Sequence, residues 1–168
     1  MSVRAQSLNV RAEALAERFE VANSELITVI ERCTESQWQA HCTPEGWSVG
    51  VTAHHLAVDH PILAGAVQAV ATGQPLPPLT SAAIDQMNAE HAAQRASYGK
   101  NETLELLRSG GAAAASAVRA LGDEQLDRVG TIPWEGDRPV SAQQLIEEKL
   151  IGHISEHLES IRAALQRP

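Results

Sequence analysis

Seven histidines in a chain of 168 residues are where chemistry could reside, and two of them, His153 and His157, stand four apart in the stretch GHISEH. On a helix, positions i and i+4 bring side chains to about 5–6 Å, close enough for two imidazole nitrogens to reach one ion at about 2.0–2.1 Å each. The spacing permits a metal without requiring one, since His-x-x-x-His alone is more often a structural or surface pair. Here Ile146, Leu150, His153, His157, Ile161 and Ala164 fall on one stripe, so both histidines are predicted to point into the molecule. Each neutral imidazole carries one donor and one acceptor, and burying either unsatisfied costs about 1–3 kcal/mol.

A third ligand decides the matter. His55 lies on the stripe Val51, His55, Val58, Ile62, Ala66 and Ala69, and so faces inward from a second helix. Three neutral nitrogens with one open position describe a catalytic type of divalent site, zinc first, with nickel or iron suited to the same ligands. Such an ion lowers the pKa of its bound water. Asp59, one turn beyond His55, is a candidate fourth ligand, acceptor behind a ligand, or general base, with an exposed carboxylate as the plain alternative. Because the ligands must be unprotonated, metal affinity is expected to weaken as pH falls through about 6.5.

The remaining polar and aromatic candidates attract simpler expectations. His54 is rotated about 100° from His55 and should face a neighbour or solvent. His41, His60 and His91 lack such company, and Glu156 faces away from the pair. Trp38, Trp47 and Trp134 read as apolar anchors, with Trp134 also placed to wall a pocket. Cys33 and Cys42, eight residues apart and outside any Cys-x-x-Cys pair, are expected as reduced thiols near the core.

The elements that must position these residues are helical, because strong helix formers dominate and apolar residues recur at helical spacing. A first helix is predicted from Asn9 to Cys33, with Leu15, Phe19, Ala22, Leu26, Ile30 and Cys33 as its buried stripe. A short turn or helix over 36–40 leads to Pro44 and Gly46, after which Ser48 caps a second helix that Pro61 should kink or restart. Residues 71–79 form a connector. A third helix over 81–97 is predicted to continue from an Asn101 cap, as one broken helix or two, with Gly110 and Gly111 a weak point. The stretch 122–140 carries so much Gly and Pro that it reads as a long loop. The last helix, about 142–165, opens on a capping box of Ser141 and Gln144 and carries Arg162 and Arg167 near its end. The sum is an all-α, four-helix bundle with a long loop before the last helix, a single domain spanning residues 1–168.

Composition narrows the partners. A net charge of −8 without a basic cluster opposes binding to nucleic acid. No apolar run approaches the roughly 18 residues that span a bilayer, and the N-terminal residues are too charged for a secretory signal, so the expected location is cytoplasmic, with no membrane partner. The expected partner is a small-molecule substrate, and the alanine-rich stretch 112–120 could give a close helix–helix contact in a homodimer.

The stretch GWSVGVTAHHLA, with His55 eight residues after Trp47, followed near the C-terminus by GHISEHLESI, resembles the DinB-like superfamily. The resemblance covers nearly the whole chain. It implies a four-helix bundle binding a divalent metal through His55, His153 and His157, and an activity among thiol transferases using bacillithiol or mycothiol, maleylpyruvate isomerases or hydrolases. It thus implies activation of a low-molecular-weight thiol for S-transfer first, with activation of water for hydrolysis as the alternative. Many members continue after the last histidine with His-Arg-Gly, where this chain has Leu158-Glu159-Ser160, so no particular thiol is implied. Since the isomerases carry a further C-terminal domain, a full isomerase is not expected. The rival expectation is a non-enzymatic stress-response or binding module in which any metal is structural.

Overall fold

In the computed structural model, which describes residues 9–95 and 98–166, the first helix, α1 (Val10–Arg32), begins where Asn9 accepts backbone N–H bonds from Arg11 and Ala12. Its stripe of Leu15, Phe19, Leu26, Ile30 and Cys33 is buried as predicted. The short α2 (Glu35–Trp38) follows, capped reciprocally by Thr34 and Gln37. A two-residue ladder, β1 (His41–Cys42) with β2 (Trp47–Ser48), then closes a tight turn in which Gly46 adopts φ 72, a left-handed conformation that glycine takes without strain.

Ser48 caps α3 (Val49–Ala71) by accepting from the Val51 backbone N–H. Of the kink or restart expected at Pro61, the restart does not occur: α3 runs through it. The neighbouring helix α5 (Lys100–Arg119) lies close at this level, where a Cβ on Gly110 would stand 3.6–3.8 Å from the Ala57 carbonyl oxygen, His60 and Pro61. One missing hydrogen bond is tolerated because tertiary packing holds the helix on both sides of it. Before α5 comes α4 (Ser81–Arg95), a separate helix lying against α3. The predicted end of this helix at Ser97, like Arg167, lies outside the described residues.

Asn101 does not cap α5, which starts at Lys100 after Gly99. Nor are Gly110 and Gly111 a weak point; α5 continues through them. Gly111 is instead a point of close approach, since a Cβ there would come within 2.2 Å of the Asn23 Nδ2. Ala114 and Ala115 are buried where α5 packs on α1 and α3, whereas Ala112 and Ala113 of the same stretch are exposed.

The long loop predicted over 122–140 needs the largest correction. After the short α6 (Asp123–Leu126) it forms an antiparallel hairpin, β3 (Val129–Ile132) with β4 (Arg138–Ser141), joined by a 3₁₀ turn at Pro133–Glu135. Gly136 and Asp137, at φ 70 and 57, close the turn, and Ile132 and Val140 are buried. The Gly and Pro that argued against regular structure supply the turn of a hairpin rather than a structureless loop.

The last helix is also not uniform. It is composed of α7 (Ala142–Leu145), a π-helical segment Ile146–Gly152, and α8 (His153–Leu165), with the Ser141–Gln144 capping box in place. The wider π turn advances less rotation per residue, and such segments are frequent at functional sites. It ends immediately before His153. Ile146 and Leu150 are therefore fully buried, whereas His153 and His157 sit partly open beside them. The long helices α1, α3, α5 and this composite helix form the four-helix bundle.

Candidate metal centre

Two helices bring three imidazoles together. His55, two turns into α3, is buried, and its Nε2 lies 3.2 Å from the His153 Nε2; the latter lies 3.1 Å from the His157 Nε2. One ring nitrogen from each residue lies within 4.8 Å of the others, and among the described residues no second group of His, Cys, Asp or Glu converges in this way. Two nitrogens bound to one tetrahedral ion at about 2.0–2.1 Å stand about 3.3 Å apart, close to the two separations found. The donor chemistry fits as well. His153 Nε2 faces two other Nε2 atoms, yet it has only one proton to give or one lone pair to offer, so one approach is left uncompensated unless a cation lies between the rings.

The electrostatics keep the ligand atoms ready. Burial, followed by repulsion from the neighbouring histidines, lowers His55 to about 3, and burial followed by His157, His60 and Lys149 lowers His153 to about 3. Both are neutral at pH 7, as a ligand must be. At His157 the tautomer is fixed by Glu45, whose Oε1 accepts from Nδ1–H at 2.8 Å and leaves Nε2 as the lone pair. Burial pushes Glu45 upward, but hydrogen bonds from Ser160 and His157 outweigh it and hold the carboxyl below its ordinary range. The Ser160 hydroxyl donates to Oε2 at 2.5 Å. Trp47 completes the setting, with its ring edge-on to His55 at 5.3 Å and nearly parallel to His157 at 6.5 Å.

Glu45 and Trp47 were not legible as site residues, because they lie on the β1–β2 turn and no helical periodicity connects them to α8. The signals available were the PEGW turn just before the helix that bears His55 and the place of Trp47 in the stretch GWSVGVTAHHLA. An outer partner of this kind typically changes metal affinity 10–100-fold. Glu45→Ala is accordingly expected to weaken zinc binding by about 10–100-fold while the fold is retained, measured by competition with a chelating dye. Unchanged affinity would remove Glu45 from the site.

Asp59 stands beside the cluster, its Oδ2 3.2 Å from the His55 Nε2 and 3.9 Å from the His153 Nδ1. Burial raises its carboxyl to about 7. A cation among the imidazoles would pull this value down and favour the carboxylate. The other histidines divide. His41 is exposed on β1. His54 faces a neighbour as expected, stacked on Tyr98 at 3.8 Å, with its Nδ1 3.4 Å from the His91 Nε2. His91, expected without company, also meets His55 edge-on at 5.8 Å. His60 is buried against Asn23 in the bundle.

A cavity of about 610 Å³ opens beside His55 and His153, bounded by α3, α4, the connector after α3 and the hairpin turn. Trp134 walls it, as its place in the sequence suggested. The turn carrying Trp134 is tied to the last helix by Glu135, which accepts from Lys149 at 2.5 Å and from Arg138 at 2.7 Å. Much of the α3 stripe predicted as core is in fact a wall of this cavity, and Ile62 is 63% exposed at its edge.

A model of the DinB superfamily matches residues 18–161. The chain belongs to the DinB superfamily. Among solved structures, this DinB-superfamily chain is similar to YfiT from Bacillus subtilis, described as a probable metal-dependent hydrolase with an unusual four-helix bundle topology. The two are 18% identical, with a TM-score of 0.76 and coverage of 98% of this chain and 91% of that one, a likeness of fold. No curated protein sequence matches the chain. Among the described residues of this DinB-superfamily bundle, no helix is long and apolar enough to cross a membrane.

Proposed function

We propose that the chain is a divalent-metal-dependent enzyme that hydrolyses a small molecule bound beside His55, His153 and His157, with zinc as the first choice of ion. One observation carries this reading: three imidazole nitrogens converge, and two of those histidines, His55 and His153, line with Asp59 a largely apolar cavity that opens to solvent. Three protein ligands leave a position open, as in catalytic sites, whereas a structural ion is closed in by four. When bound, the ion would acidify water and polarise a carbonyl at that position. The description of YfiT as a probable metal-dependent hydrolase supports the same class of reaction.

The chain's own groups then have separate tasks. His55, His153 and His157 hold the ligand geometry, and Glu45 and Trp47 fix the rings. Asp59 takes a proton from the attacking water as its oxygen bonds to the substrate carbonyl carbon. It returns that proton to the leaving group as the old bond breaks, so the products are an acid and a protonated leaving group. Trp134 and the apolar walls keep bulk water from the reacting bond.

Transfer to a low-molecular-weight thiol differs only in the nucleophile, and the same experiment separates the two. Protein purified without an affinity tag is stripped with chelator and reloaded with zinc, nickel or iron. It is then offered nitrophenyl esters and anilides, with and without small thiols. Hydrolysis that disappears with chelator and returns on reloading is expected. Turnover only with thiol would replace hydrolysis by S-transfer at the same site. Turnover indifferent to chelator would overturn the proposal.

A further inference from the structure

The cavity is longer than the chemistry at its end requires. Its floor is the α3 stripe of His55, Asp59, Ile62, Ala66 and Ala69, and at 1.5 Å per residue the span from His55 to Ala69 is about 21 Å. Polarity is confined largely to the histidine end, where His55, Asp59 and His153 meet. Lys149, near the same end, is already paired with Glu135. Beyond it the lining is apolar apart from Asn88 on α4: small side chains on α3 leave the space, and Leu76 from the connector and Ile84 and Met87 from α4 line its other side. A narrow slot with one polar end and a floor of alanines fits an extended chain better than a compact polar ligand.

The rim points the same way. Ile62 and Met87, at 63% and 52%, are among the large apolar side chains most open to solvent, and both line this cavity. An apolar ligand seated in the slot would cover part of that surface, and exposed apolar patches commonly mark such sites.

We infer that the substrate carries an unbranched alkyl or acyl tail, which lies along α3 from Asp59 towards Ala69 with its reactive polar head at the three histidines. The inference rests on the reading of the histidine cluster as the reacting end. Ala66 and Ala69 are then the residues that set tail length, because a larger side chain at either would fill the slot.

The test separates head from tail. Zinc-loaded protein is titrated calorimetrically with acetohydroxamate and its butanoyl, octanoyl and dodecanoyl homologues, and metal-free protein with alkan-1-ols of the same lengths. Each buried methylene is expected to tighten binding about fourfold in both series. Ala69→Phe should abolish the gain from octanoyl to dodecanoyl while keeping that from acetyl to butanoyl, and Ala66→Phe should end the gain earlier. Thermal unfolding of the same samples checks their folding. Acetohydroxamate binding with no gain from longer tails overturns the inference and leaves the metal site standing. Alkanols that bind more tightly with length, with no hydroxamate effect, uphold the tail and overturn the metal reading. Binding of neither series overturns both, and dodecanoyl binding that ignores the two variants overturns the assigned slot.

Discussion

Replacing His153 with alanine is expected to yield a folded protein that loses stoichiometric zinc and, with it, the turnover. His153 is the central member of the cluster: its Nε2 is 3.2 Å from that of His55 and 3.1 Å from that of His157. Without it two nitrogens remain on separate helices. Removing a ligand outright should weaken the metal by more than about 100-fold, above the effect of an outer partner such as Glu45. The same substitution should change the stability of metal-free protein by only about 1 kcal/mol, since the ring is partly exposed and faces other imidazoles. The contrast separates a ligand from a packing residue, for a packing residue would move stability with or without the ion. Metal analysis beside urea unfolding checks it, and equal metal content in the variant and the parent would sink the site.

How much of this was legible in the sequence follows from where each residue sits. The helical stripes placed His55, His153 and His157 toward one another because a 3.6-residue period reports a face without any knowledge of the partner helix. The same period misjudged what that face meets. Ile62, Ala66 and Ala69 share the apolar stripe with Val51, yet they line a cavity, and no single-helix pattern distinguishes a core from an empty slot. The π turn before His153 was hidden for a related reason: Glu147, Glu148, Lys149 and Leu150 are good helix formers, and local propensity does not tell a π turn from an α turn. The hairpin over 129–141 was missed because its Gly and Pro content was read as disorder of structure, where a left-handed Gly136 was closing a turn. Glu45 reaches His157 across 112 positions, a contact that local spacing cannot express.

A second large effect is expected on acidification, and it arises from a histidine outside the cluster. His60 is 1% exposed; its Nε2 lies 2.9 Å from Asn23 Oδ1, while Asn23 Nδ2 donates to the Leu107 carbonyl at 2.9 Å. Phe19 meets the ring edge-on at 5.2 Å, and among the described residues no carboxylate is bonded to it to compensate a charge. Burial therefore lowers its pKa to about 4. The folded protein keeps His60 neutral, whereas the unfolded chain takes up a proton below about 6.5. Stability is thus complete above pH 6.5 and is lost as pH falls towards 4, by about 3 kcal/mol for this residue alone. His55 and His153 act with the same sign in metal-free protein, each down to about 3, so the parent curve should be steeper than one proton allows. His60→Gln lacks the titrating ring. It is expected to begin less stable at pH 7 by about 1–3 kcal/mol, through the strained bond to Asn23, but to lose less on acidification. Urea unfolding of metal-free parent and variant at pH 7, 5.5 and 4.5 measures the difference, and parallel curves would show that His60 does not carry the acid sensitivity. Loaded with zinc, the parent should resist acid longer, because an ion bound only by the folded state adds its own binding free energy to the native side.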